Sequence, residues 1–267
     1  MALRSPNLNV MINAAKKAAR AMVRDFGEVE QLQVSLKGPS DFVSAADLRA
    51  EKILRAELSK SRPGWGFLGE EGGETPAAEG ALDHRWIVDP IDGTTNFIHG
   101  LPHFAISIAL ERAGELLAGV VYNPITDELF FAERGGGAFV NERRLRVAGR
   151  QRLDQAVIGT GIPHLGRGEH GPYLRELAHV MTATAGIRRL GSASLDLAYV
   201  AAGRYDGFWE HGLKPWDIAA GILLVREAGG FVGDIDGKGD PMKSGNIIAA
   251  NEKLLGPLGD LIRKANA

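Results

Sequence analysis

From Leu8 onward, apolar residues recur at intervals of three and four: Leu8, Met11, Ile12, Ala15, Ala19, Met22, Val23 and Phe26. That period is the signature of one buried helix face. Its ends are marked as well. Ser5 is a suitable N-cap, Pro6 suits the first helical position, and Gly27 stops the run. A polar stretch follows from residue 28 to 40, where Lys37-Gly38-Pro39-Ser40 reads as a mobile loop. A second helix is predicted from Ser44 to about Ser61, with Ser44 and Asp47 forming a variant of the capping box.

Beyond Gly64 the period shortens. Trp86-Ile87-Val88 is a short apolar run stopped by Asp89-Pro90, as expected for a buried strand. Residues 104–110, 116–122 and 129–132 read as further strands separated by Gly or Asn-Pro turns, and a meander continues toward Val147. From about residue 150 the pattern becomes strand–helix alternation: strands at 156–161, 208–210, 231–233 and 247–250, helices at 173–185, 194–202, 218–228 and 254–264. No internal repeat is visible. The chain therefore divides into an N-terminal α+β half (1–150) and a C-terminal α/β half (151–267), layered as one integrated unit.

Composition changes this picture mainly by subtraction. The 267 residues contain no cysteine, which excludes disulfides, thiolate-bound metals and thiol nucleophiles. Any metal must be held by oxygen or by the seven histidines. Lys and Arg number 31 against 33 Asp and Glu, so the net charge of −2 gives no general attraction to nucleic acid. The N-terminus has no apolar core of signal-peptide length and no run suits a membrane span, so a cytoplasmic protein is expected. The 35 glycines lack a collagen period and point instead to turns and close backbone approaches.

Several motif matches fail on context. Gly166-x-Gly168-x-x-Gly171 is separated from the preceding strand and runs into Pro172, unlike a dinucleotide fingerprint. His99 and His103 are four apart, but Gly100 and Pro102 between them rule out a helical zinc pair. No Gly stands where a P-loop needs one before Gly237-Lys238. The informative residues are acidic. Asp89-Pro90-Ile91-Asp92-Gly93-Thr94-Thr95 puts two carboxylates at the end of a buried strand, where ionised groups need a partner. An Asx-type turn capped by Asp92 is the alternative there. Glu70-Glu71 lies between glycines, as an ion site or as an exposed acidic loop. Asp217 follows Pro215-Trp216 at the start of an apolar helix, as a ligand or as a plain N-cap. Glu70, Asp89, Asp92 and Asp217 together would form an all-oxygen site suited to a hard cation such as Mg²⁺.

These segments carry a resemblance. Trp86-IVDPIDGTTNFI-His99 and Trp216-DIAAGILLVREAG-Gly230 resemble the two signature segments of the inositol monophosphatase family, lithium-sensitive Mg²⁺-dependent phosphatases. Residues 37–47, 69–71 and 191–217 agree in order and spacing, and the last stretch is most similar to the bacterial SuhB-type members. The resemblance implies an αβαβα layered sandwich shared with fructose-1,6-bisphosphatases. It implies that Glu70, Asp89 and the Ile91 carbonyl hold one Mg²⁺ and that Asp89, Asp92 and Asp217 hold a second. Glu70 would help with a third. Asp47 and Thr94 would position the water nucleophile, with Glu70 in the catalytic group. Gly93 and Thr94 would offer N–H groups to the phosphate. Gly191, Ser192, Ala193, Glu210 and Asp92 would contact substrate hydroxyls, and Lys37 would lie on a mobile loop over the site.

The expected reaction is Mg²⁺-dependent hydrolysis of a small phosphorylated polyol, foremost myo-inositol 1-phosphate, in a homodimer. Sugar bisphosphate, histidinol phosphate or adenosine 3′,5′-bisphosphate are alternatives on the same metal core. An interaction role in transcription or ribosome assembly complexes, with nucleic-acid or protein partners, is the alternative of another class. His211 and Gly72-Gly73 stand where the family varies, and they limit any claim about substrate.

Overall fold

The computed structural model describes residues 4–28, 34–38, 41–79, 83–164 and 168–266, with backbone alone at 34–38 and 41–43. Its first helix, α1 (Pro6–Gly27), starts and stops at the sequence signals. Ser5 Oγ accepts from the Leu8 N–H at 3.2 Å. The buried face differs at one position from the expected stripe: Val23 is 44% exposed, and Ala14 and Ala18 are buried instead. Steps of 3.6 residues carry the face from Met11 through Ala15 and Ala18 to Met22, leaving Val23 one step off it.

Residues 34–44, taken largely as loop from the sequence, contain a ribbon in which β1 (Val34–Gly38) pairs antiparallel with β2 (Asp41–Ser44). The turn residues Pro39 and Ser40 and the side chain of Lys37 lie outside the described residues, as does Gly166 of the rejected dinucleotide match. Then α2 (Ala45–Ser61) opens with the expected capping box. Ser44 N–H and Oγ–H both donate to Asp47 Oδ2, at 2.9 and 2.6 Å.

The first sheet takes β3 (Gly66–Gly69), β4 (Gly73–Thr75), β5 (His84–Asp92), β6 (Ala105–Arg112), β7 (Glu115–Asn123), β8 (Glu128–Glu133), β9 (Gly137–Val140) and β10 (Arg143–Arg144). A short helix, α3 (Thr94–Ile98), follows β5. The strand order is β10-β9-β8-β7-β6-β5-β3-β4, antiparallel except where β3 lies parallel to β5. The second sheet has β12-β11-β13-β15-β14 in order, built from β11 (Val157–Thr160), β12 (Gly186–Arg188), β13 (Gly207–Glu210), β14 (Phe231–Gly233) and β15 (Ile247–Ala250). Its helices are α4 (His170–Ala183), α5 (Ala193–Ala201), α6 (Pro215–Glu227), α7 (Pro241–Ser244) and α8 (Glu252–Ala265).

Alternation along the strands sorts the apolar side chains into three cores. Trp86, Val88, Ile106, Ile108 and Val120 face α1 and α2. Ile87, Ala109, Val121 and Phe130 face the other way, onto α5 and α6, which meet Phe208 and Ala249 of the second sheet. Trp209, Ile158 and Ile248 point outward from that sheet onto Tyr173 and Val180 of α4 and Leu254 and Leu258 of α8. The result is the expected αβαβα sandwich. Helix α6 lies between two sheets, which is why every residue from Ile218 to Val225 is buried and no polar face exists. Among the described residues no helix is long and apolar enough to cross a membrane.

Candidate active site

The sequence suggested that β5 stops at Asp89-Pro90, but the strand continues to Asp92 by way of a bulge. Asp89 pairs with Ser107 and Asp92 with Ala105, so three steps on β5 oppose two on β6. On the other edge, pairing with β3 ends at Gly69 opposite Val88. Pro90, which has no N–H to give a ladder, thus sits in the irregular segment. The bulge places both Asp89 and Asp92 in the buried interior at the strand's end, 2% and 8% exposed.

Asp217 joins them from α6. It is not the N-cap but the third helical residue, and its Oδ2 accepts from the Lys214 N–H at 2.7 Å. One ligand atom each from Asp89, Asp92 and Asp217 lie within 4.8 Å of one another. Glu70 comes from the turn after β3. It lies beside the Asp89 carboxyl and shares a hydrogen bond with it. Both Glu70 and Glu71 are half-buried, so this turn is not an exposed acidic loop.

Burial pushes the Asp89 carboxyl well above its ordinary 3.8, and the charges of Glu70, Asp92 and Asp217 add to the shift. Burying one unpaired ion costs several kcal/mol, roughly, even after relaxation. A divalent cation among these oxygens removes that penalty. The donor set is carboxylate throughout, with neither nitrogen nor sulfur, which fits a hard ion.

Asp92 is anchored through one oxygen. Its Oδ2 accepts from Ser192 Oγ–H at 2.6 Å, from the Ser194 N–H at 2.7 Å and from Ser194 Oγ–H at 2.5 Å. Burial still raises its pKa, against these bonds. Ser192 and Ala193, read from the sequence as substrate contacts, are buried at the start of α5. Ser194 escaped the sequence reading. So did Glu51, which accepts from the Glu71 and Gly72 N–H groups at 2.8 and 2.7 Å and so shapes the Glu70 turn. Glu51 stands one helical turn after Asp47 on α2, a spacing that could have drawn attention to it.

Asp47 is fully buried, and that burial raises its pKa against the Ser44 and Thr94 bonds. Its Oδ1 lies 3.0 Å from Thr94 Oγ1, which is also 3.0 Å from the Ile91 carbonyl. Asp89 Oδ1 in turn accepts from the Ile91 N–H at 2.9 Å. Asp47, Asp89, Ile91 and Thr94 therefore form one connected set.

Gly93 adopts φ +99, which side-chain-bearing residues rarely reach, and a Cβ there would stand 3.1 Å from both the Gly191 and His103 carbonyls. The Gly191 loop thus packs directly onto the turn after β5. Asn96 of α3, also missed in the sequence, ties it down by donating to the His103 and Leu190 carbonyls at 2.7 and 2.8 Å. Glu210 ends β13, its carboxyl lying over Gly161, where a Cβ would come within 1.9 Å of Glu210 Cδ. Asp196, buried on α5, feels the charges of both Glu210 and Asp92. Lys37 belongs to β1, and nothing places its side chain.

The chain is 64% identical to an inositol-1-monophosphatase of Rhizobium meliloti over 98% of its own length and 97% of that protein. It is 47% identical to the Nus factor SuhB of Pseudomonas aeruginosa, covering 93% of this chain and 92% of the relative. The crystal structure of extragenic suppressor protein suhB from Bartonella henselae superposes with a TM-score of 0.94 at 60% identity, covering 97% of this chain and 99% of that one. With the acidic cluster in place between the two sheets and a family model matching residues 4–266, the chain belongs to the inositol monophosphatase family.

Proposed function

We propose that the chain is a Mg²⁺-dependent phosphatase that hydrolyses myo-inositol 1-phosphate to inositol and phosphate. The convergence of Asp89, Asp92 and Asp217 within 4.8 Å carries this reading, and the 64% identity to an inositol-1-monophosphatase supports its substrate. Glu70, Asp89 and the Ile91 carbonyl would hold one Mg²⁺ and Asp89, Asp92 and Asp217 another, with Glu70 contributing to a third. Mg²⁺ bound there supplies positive charge to the phosphoryl oxygens and acidifies bound water.

The protein's own groups do the rest. Thr94 Oγ1 has one proton and two acceptors at 3.0 Å, Asp47 Oδ1 and the Ile91 carbonyl. The hydroxyl can therefore turn toward Asp47 and leave its lone pair for a water's proton, so that Asp47 and Thr94 orient the nucleophile. The N–H groups of Gly93 and Thr94, at the start of α3, are offered to the phosphate, while the missing Cβ of Gly93 lets the Gly191 loop close onto that turn. Glu210, at the C-terminal end of β13, accepts hydroxyls of the polyol, and the Gly191–Ala193 segment offers further contacts. Ser192 acts mainly by orienting Asp92, since its own hydroxyl is engaged there.

Phosphate release with Mg²⁺, measured across inositol 1-phosphate, fructose 1,6-bisphosphate, histidinol phosphate and adenosine 3′,5′-bisphosphate with and without Li⁺, tests the assignment. Preference for inositol 1-phosphate with lithium inhibition is the expected outcome; preference for another member would reassign the substrate. Asp92→Asn and Asp217→Asn should stay folded and lose Mg²⁺-dependent turnover, and near-normal activity in either would sink the metal assignment. The likeness to Nus factor SuhB favours a second reading, a partner in a transcription complex. A catalytically dead variant that retains the cellular phenotype would support it. The homodimer expected for the family is checked by sizing chromatography.

A further inference from the structure

Glu176 of α4 is the most heavily bonded buried carboxylate on the outer face of the second sheet. At 2% exposure it accepts from Trp209 Nε1–H at 3.1 Å and from Asn266 Nδ2–H at 2.7 Å. His211 Nε2 faces both of its oxygens, at 2.9 and 3.1 Å. Trp209 and His211 are the two neighbours of Glu210. Side chains alternate along a strand, so the pair on the α4 side leaves Glu210 directed to the opposite face, the side of Gly161 and of Asp196, which feels its charge. One buried carboxylate thus grips the chain immediately before and immediately after the residue read as the polyol contact.

The other ring nitrogen identifies the state of His211. Nδ1 lies 3.3 Å from Asn246 Oδ1, and the orientation of that amide is fixed because the Gly212 N–H also donates to Oδ1 at 3.3 Å. Both ring nitrogens therefore face acceptors, and only the doubly protonated imidazolium satisfies both. Burial alone would lower the imidazole's pKa, but Glu176 and Asn246 outweigh it, with Asp236 adding to the effect, and it lies above the ordinary 6.5. Among the described residues, the groups acting on the ring are Glu176 from α4, Asp236 after β14 and the neutral Asn246, while Asn266 bonds Glu176. Arg175 of α4 is turned to Asn266 Oδ1 and the Ala265 carbonyl, at 2.9 and 3.2 Å.

We propose that His211 is a positioning residue for Glu210: clamped as an imidazolium by Glu176, it fixes the end of β13 and sets the direction in which Glu210 meets the substrate's hydroxyls. The proposal rests on the reading of Glu210 as a polyol contact, and one assay separates the two. KM and kcat are measured with Mg²⁺ for inositol 1-phosphate and for p-nitrophenyl phosphate, which has no alcohol hydroxyls, across pH. The proteins are wild type, Glu210→Gln, His211→Leu and His211→Gln.

His211→Leu should raise KM for inositol 1-phosphate about tenfold, the loss of one hydrogen bond to a charged group. Its kcat, and its activity on p-nitrophenyl phosphate, should stay within about twofold of wild type. His211→Gln keeps one donor toward Glu176 and should restore most of the loss. The ratio of KM for inositol 1-phosphate to KM for p-nitrophenyl phosphate should climb more steeply in wild type than in either variant as pH rises through the His211 pKa. The variants, assayed on the same two esters, carry the titration of the phosphates themselves, so the difference between wild type and variant profiles reads His211.

If Glu210→Gln leaves the ratio unchanged, the polyol-contact reading fails. If it changes the ratio while His211→Leu does not, the clamp alone is overturned. Equal losses on both substrates, or a Gln variant no better than Leu, would assign His211 a merely structural role and also overturn it. Should the Leu variant not fold, the wild-type protein still decides: an NMR titration of the His211 ring with its midpoint at or below 6.5 contradicts the imidazolium.

Discussion

Asp92 is held by two serines, of which the sequence names only Ser192, and names it as a substrate contact. Ser192 belongs to a recognisable segment; Ser194 gives Asp92 both its hydroxyl and its N–H, from a partner 102 residues away. No local pattern announces such a pairing. Ser194→Ala keeps the N–H bond and loses the hydroxyl bond, so the protein should fold normally and require roughly 10–100-fold more Mg²⁺. A magnesium titration of turnover, or calorimetric binding, reads this directly, and an unchanged requirement would contradict it. Asp47, in contrast, was legible because its bonds to Ser44 are local and leave a capping signature. Asp196 makes a different prediction. It is buried with Oδ1 unpartnered, and burial, then the Glu210 and Asp92 charges, hold its pKa well above 3.8, with only Arg189 opposing. A carboxyl whose folded pKa is raised binds its proton more tightly in the native state. Its contribution therefore falls as pH rises from 3.8 through the folded value. Urea unfolding should show wild type losing stability relative to Asp196→Asn across that window, with no divergence below it.

Whole elements were readable where periodicity ran long enough. Helices α1 and α2 and strands β6 to β8 follow their patterns to within one or two residues. The misses share a cause. Strand β3 is four residues, Gly66–Gly69, with a glycine at each end, and β4 is three exposed residues. Neither holds a pattern of its own: β3 is a strand because β5 offers it an edge, and β4 because β3 does in turn. The extension of β5 past Pro90 was hidden for a related reason: proline forbids a ladder bond but not a bulge. The turn that closes this element predicts its own fragility. Gly93→Ala would place a Cβ at φ +99 against two carbonyls at 3.1 Å. The cost should be roughly 1–3 kcal/mol of unfolding free energy from the backbone alone. Denaturant melts should show it, and activity should fall further because the Gly191 loop has to move.

At the scale of the whole molecule, the carboxylates come from both sides of a layer boundary. Asp89 and Asp92 end a strand of the first sheet, Asp217 begins the helix packed between the sheets, and Glu210 ends a strand of the second. The change of period near residue 150 announced only an α+β pattern followed by an α/β one, and the αβαβα order itself was an expectation from the family resemblance. The docking of α6 against β5 was not legible, since an apolar helix records only that it is buried. A cation in this position binds the native state alone, so Mg²⁺ at 100 times its dissociation constant should add about 2.7 kcal/mol of stability. Thermal melts with Mg²⁺ and with a chelator should separate accordingly, and Asp217→Asn should shrink the difference.

The placement of Asp217 also sets a schedule. As the chain is synthesised from its N-terminus, the bulged end of β5 is exposed on the order of ten seconds before α6 follows it out of the ribosome. During that interval the nascent protein carries Glu70, Asp89 and Asp92 without Asp217, and without the helix that covers β5. The enzyme's cation cradle is consequently born late, and a chain released early would be an acidic, uncovered sheet rather than a weak catalyst.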